Sequence, residues 1–90
     1  MASDYALTHE QHHFDISYLG TCLFIKKLRA ASFTLENFAA LIDKIYNECY
    51  DDLEKMQNDY DGQTKNGQLK DIQGEWNKKI DRQLADLVIN

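Results

Sequence analysis

The sequence predicts an all-α fold, a small antiparallel three-helix bundle. Three observations carry that expectation. Proline is absent from all 90 residues, so the strongest helix breaker is missing. Two long stretches repeat their apolar residues at helical spacing. The segments between them are short and hold turn formers. A chain of this length supplies one core, so 1–90 reads as one helical domain.

The first helix is expected over 8–31. Thr8, with Gln11 three residues on, resembles a capping box, and 4–7 has room for a short extra turn. Lys26, Lys27 and Arg29 suit a helix C-terminus, where the backbone carbonyls leave a partial negative charge. Phe14, Ile16, Tyr18, Leu19, Cys22, Leu23, Phe24 and Ile25 point in nearly all directions, as in a helix covered on several sides. A β-hairpin is the alternative for this third of the chain. Phe14-Asp15-Ile16-Ser17-Tyr18 alternates with period two, and Gly20 offers a turn. The run of helix formers over 26–31 and the scarcity of β-branched residues favour the helix.

The central helix is expected over 35–60. Phe38, Leu41, Ile42, Ile45, Cys49, Leu53, Met56 and Tyr60 fall within about 100° of arc at 100° per residue. Thr34 is the N-cap candidate, Glu36 complements the first-turn dipole, and Phe33 is placed to staple onto Phe38. Asp59-Tyr60-Asp61-Gly62 then opens a polar loop over 61–67 containing Asn66-Gly67. The last helix is expected over 68–88, with Leu69, Ile72, Trp76, Ile80, Leu84 and Leu87 on one stripe. Gly74 projects away from that stripe and weakens the helix by about 1 kcal/mol relative to Ala.

Fifteen Asp and Glu against ten Lys and Arg leave a net charge of −5. That balance excludes a freely binding nucleic-acid domain, which needs a basic surface to meet phosphates. No apolar run approaches the roughly 20 residues of a membrane span, and no apolar segment follows Met1 as in a secretory signal. A cytoplasmic protein is therefore expected, with Cys22 and Cys49 as packed thiols in a reducing compartment.

The negative charge gathers on the central helix, where 36–61 hold eight acids and two bases. Glu36, Asp43 and Glu54 lie nearly on one line, and Tyr46 and Tyr50 sit between that line and the apolar stripe. Tyrosine offers large contact area, few rotors and a polar tip, and carboxylates speed encounter with a basic partner. Asp43, Tyr46, Tyr50, Asp51 and Glu54 are therefore the candidate partner-binding residues. The plainer reading packs the tyrosines on a neighbouring helix and leaves the acids solvated.

His9-Glu10-Gln11-His12-His13 matches the zinc-protease pattern, in which two His four apart hold the metal and Glu is the general base. A third ligand would have to be a distant carboxylate. The expectation here is a solvated, partly protonatable N-terminal turn that takes up metal only adventitiously, and no metal ligand is assigned. Fragments of an EF-hand loop occur around 59–69, but no glutamate falls at the twelfth position, so a plain helix–helix loop is expected. The chain has no nucleophile elbow, phosphate loop or dinucleotide fingerprint. No catalytic residue and no cofactor is assigned, and the chain is read as a non-enzyme.

The functional expectation is a small acidic module that blocks or regulates a larger protein. Its partner would present a basic or nucleic-acid-binding surface. Anti-CRISPR and other phage anti-defence inhibitors, antitoxins and toxin-immunity proteins share this size and charge. A self-associating helical bundle, a homodimer, is the alternative, and a His-dependent metal site the remote one.

Overall fold

In a computed structural model, which describes residues 4–89, three helices follow one another: α1 (Asp4–Ala30), α2 (Phe38–Thr64) and α3 (Lys70–Ile89). Short connections turn each helix back along its predecessor. α1 packs on both others and α2 on α3, giving an all-α three-helix bundle with extents of 51 × 27 × 22 Å.

The N-terminal third is helical throughout, so the β-hairpin alternative is excluded. Gly20 makes no turn. It lies inside α1 facing Leu53, whose methyl would stand 3.1 Å from an added Cβ. Thr8 is not a cap, because the helix begins a turn earlier at Asp4 and the Thr8 hydroxyl donates back to the Asp4 carbonyl at 2.9 Å. Nor is α1 covered on several sides. Phe14 is 72% exposed and Tyr18 58%.

The expected N-cap, Thr34, does not cap α2: the regular helix begins at Phe38, so Asn37 holds the N-cap position and makes no side-chain cap bond. The Thr34 hydroxyl accepts from the Asn37 amide N–H at 3.1 Å, and the Asn37 side-chain oxygen accepts from the Thr34 N–H at 2.7 Å. These reciprocal bonds resemble a capping box, but they close not the first turn of the helix but the turn that precedes it. Phe33 meets Phe38 at 5.4 Å across it, the expected staple. Glu36 lies in the turn before the helix proper.

α2 does not stop at Tyr60. It runs on to Thr64, which puts Asp61 on the helix rather than in a loop. A Schellman motif ends it there. The Asn66 N–H donates to the Asp61 carbonyl at 2.8 Å, the Lys65 N–H to that of Gly62 at 3.4 Å, and Lys65 is left-handed (φ 49°). Asn66 (φ 57°) and Gly67 (φ 90°) continue the left-handed course, and Leu69 leads into α3.

Ile16 of α1, Tyr60 of α2 and Trp76 and Ile80 of α3 form the buried core. Leu19, Leu53, Met56, Ile72 and Leu84 pack around them. Ile16 and Ile80 are fully buried, and each such side chain contributes about 1.5–3 kcal/mol. Cys49 is buried, Cys22 half-buried, and both are free thiols. Phe38 is 53% exposed, because α3 ends beside the Leu23–Leu53 region and does not reach that end of α2. No helix among the described residues is long and apolar enough to cross a membrane.

Candidate functional site

Two places in the bundle carry more chemistry than packing requires. The first is the outward flank of α2. Moving around this helix from its core stripe, helical phase places Tyr46, then Tyr50, then Asp43 and Glu54, and Asp51 furthest round. Tyr46 is 54% exposed and Tyr50 50%, and Asp43, Asp51 and Glu54 are exposed. The tyrosine rings stack with centroids 6.2 Å apart and planes 20° off parallel. Phe24 of α1 meets Tyr46 edge-on at 5.9 Å. Tyr46 therefore rests on α1, Tyr50 stacks on Tyr46, and both remain half-exposed. Beneath them, at Gly20, Cys49 and Leu53, lies a shallow apolar groove of about 170 Å³. Glycine supplies no side chain there, so the groove stays open. Tyr46, Tyr50, Asp43 and Glu54 thus share one flank of α2, and Asp51 lies about 60° beyond Glu54, on the side facing away from the apolar stripe.

The second place joins all three helices, and here the sequence-based expectation fails. His9 and His12 are buried and His13 is half-buried, so 9–13 is not a solvated turn. Traced back along α1 from Ile16, positions 9, 12 and 13 fall on the inward face, within about 60° either side of Ile16. The histidines occupy core positions, and polar side chains from α2 and α3 come in to meet them.

His9 bonds through Nδ1 to Gln73 Oε1 at 2.6 Å and through Nε2 to Asp61 Oδ1 at 3.1 Å. His13 bonds through Nδ1 to Gln57 Oε1 at 2.5 Å and through Nε2 to the same Asp61 oxygen at 2.6 Å. His12 bonds through Nδ1 to the Thr8 carbonyl at 2.8 Å and through Nε2 to Asp81 Oδ1 at 3.0 Å. Tyr60 is the floor of the cluster. His9 stacks on its ring at 4.6 Å, and His13 meets it edge-on at 4.8 Å. No buried side-chain nitrogen or oxygen among the described residues lacks a partner. Burial pushes the Tyr60 hydroxyl above the ordinary tyrosine range, partly offset by its hydrogen bond from Gln73. The loop closes over the cluster, with the Tyr5 hydroxyl donating to the Gly67 carbonyl.

Four residues of this second place were not singled out from the sequence: Gln57, Asp61, Gln73 and Asp81. Asp61 was hidden by the assumption that α2 ends at Tyr60. The glutamines look like ordinary surface residues in composition. For Gln73 the available signal was phase, since it lies inside the Ile72–Trp76–Ile80 stripe; Gln57 shares the phase of Tyr46 and Tyr50, off the apolar stripe of α2, and phase gave no signal for it.

No protein-family profile, no curated protein and no solved structure matches the chain.

Proposed function

We propose that this chain is a protein-binding module that docks a basic surface of a larger protein through the flank of α2 and thereby blocks or regulates it. One observation carries the reading: Tyr46 and Tyr50 stack half-exposed beside Asp43, Asp51 and Glu54. Exposed tyrosine pairs held by a neighbouring helix lose little conformational freedom on binding, and that favours them as interface anchors. The carboxylates beside them repel phosphates and attract Lys and Arg, so the partner is a basic protein surface rather than a nucleic acid or an anionic membrane. A surface that normally binds nucleic acid has the required charge. Binding rather than catalysis is the proposed activity.

Affinity capture from the native host with the wild-type chain and with Tyr50→Ala/Glu54→Lys tests the reading. The wild type is expected to retain a basic protein that the double variant loses, with retention weakening as salt rises. Equal retention by both chains removes the proposed face.

A different observation favours the second reading, self-association. Leu7, Phe14, Tyr18 and Ile25 are all exposed, between 42% and 72%. Their steps of seven, four and seven put them within about 40° on the side of α1 opposite Ile16. A second copy laid against this seam would bury all four. Sedimentation at micromolar concentration separates the readings, since a clean monomer disposes of the homodimer.

A further inference from the structure

We infer that His9 Nε2, His13 Nε2 and Asp61 Oδ1 form a binding site for one divalent cation of the zinc class. The inference rests on which ring nitrogens carry hydrogen, and the surrounding bonds fix that. The His9 backbone carbonyl can only accept, so the Tyr60 hydroxyl, 2.9 Å away, donates to it. The Tyr60 oxygen then accepts from Gln73 Nε2 at 2.6 Å, and the second Gln73 amide hydrogen goes to Asn77 Oδ1 at 2.8 Å. Gln73 therefore turns its oxygen to His9, and His9 Nδ1 must be the N–H. The same logic runs through His13. Its backbone carbonyl accepts from Gln57 Nε2 at 3.0 Å, so Gln57 turns its oxygen to the ring, and His13 Nδ1 must be the N–H.

Each histidine thus has its ring oriented by a glutamine that its own carbonyl orients, directly for His13 and through the Tyr60 hydroxyl for His9. In a neutral imidazole with hydrogen on Nδ1, Nε2 carries a lone pair. Both Nε2 atoms point at one carboxylate oxygen, and the three atoms lie within 4.8 Å of one another. With both rings neutral, three electron pairs converge on one point. Either each ring takes a second proton or one cation serves all three.

The donor set and its support favour the cation. Two imidazoles four residues apart on a helix plus one carboxylate suit a tetrahedral borderline ion, with water completing the shell on the open side. The Asp61 side chain is 42% exposed and that of His13 23%, so that side reaches solvent. Each ring donates its other N–H to an amide oxygen, the outer-shell contact that fixes metal-ligating histidines. Bond lengths of about 2.0–2.2 Å around a tetrahedral ion set ligand atoms roughly 3.3–3.6 Å apart. The His9–Asp61 separation of 3.1 Å is close to that, and the His13–Asp61 separation of 2.6 Å must open by about 0.7–1.0 Å, a rotation of the part-exposed Asp61 side chain. The other cluster, His12 with Asp15 and Asp81, offers one imidazole and an Asp81 side chain that is 65% exposed, so it serves as the control.

The test uses untagged full-length chain, stripped with chelator, and Zn2+ or Co2+ as the probe. Calorimetry with Zn2+ is expected to show one saturable equivalent and an upward shift of the thermal midpoint. Co2+ is expected to develop the visible bands of a low-coordinate nitrogen–oxygen site. Asp61→Asn is expected to lose the saturable equivalent, and Asp81→Asn to keep it. Long-range proton–nitrogen spectra of the wild type need no variant: Zn2+ should shift Nε2 of His9 and His13 and leave His12 unmoved. The site is overturned if Zn2+ does not saturate, if Asp61→Asn binds as tightly as wild type, or if the His9 and His13 nitrogens stay unchanged or fully protonated with Zn2+ present.

Discussion

Gly67 occupies a position that two independent constraints reserve for glycine. Its φ of +90° disfavours a side chain, and an added Cβ would stand 3.1 Å from both Cγ and Nδ1 of His9. His9 is held by Gln73, Asp61 and the Tyr60 ring, so it has little room to give. Gly67→Ala is therefore expected to destabilise the chain by about 1–2 kcal/mol, read as a lower urea midpoint at unchanged slope by Trp76 fluorescence. Tyr60 gives a pH signature. Its hydroxyl loses its proton less readily when folded than when unfolded, chiefly because it is buried. The folded state thus holds that proton more tightly, so stability is complete below the ordinary tyrosine value of about 10 and falls as pH rises above it. Urea titrations across pH 8–11 should show this fall, and Tyr60→Phe should flatten it from a lower starting stability. The histidines illustrate what composition hides at this scale. Identity alone places His9-Glu10-Gln11-His12-His13 in water, and only the helical phase shared with Ile16 and Leu19 places them inside.

The three helices differ in how well their ends were legible. At the entry to α2 the Phe33–Phe38 contact was readable because it is local, although Thr34 bonds Asn37 in the turn before the helix instead of capping it. The exit of α2 was not. Asp59-Tyr60-Asp61-Gly62 has the composition of a turn, yet Tyr60 is buried in the core and the Schellman bonds carry the helix one turn further. Tertiary burial overrode local preference there, and Asp61 went unnoticed as a result. Gly74 remains a weak point of α3, since nothing lies within 4 Å of an added Cβ. Gly74→Ala should stabilise the protein by about 0.5–1 kcal/mol through helix propensity alone. Lys65 is left-handed at the α2 C-terminus, so Lys65→Gly should also stabilise it, by up to about 1 kcal/mol. Thermal unfolding followed by circular dichroism checks both, and a loss of stability in either variant contradicts the assignment of that helix end.

The whole molecule is a bundle with unequal ends. Where three helices overlap, Ile16, Tyr60, Trp76 and Ile80 are sealed and the histidine cluster is knitted to α2 and α3. At the other end α1 and α2 run without α3, and Phe38, Tyr46, Tyr50 and Ile25 are left partly in water. The all-α class and the acidic tyrosine flank were readable from periodicity. The polar tie between helices was not, because it depends on side chains separated by 44 to 69 positions in the chain. The central functional claim is that the tyrosine-bearing flank of α2 is the docking surface. Hydrogen–deuterium exchange of the chain, alone and bound to its captured partner, tests it most directly. Protection should concentrate in peptides covering 43–54 and the facing turn of α1 around Phe24. Protection confined to the outer seam of α1 or to α3, with 43–54 exchanging as in the free chain, would contradict it.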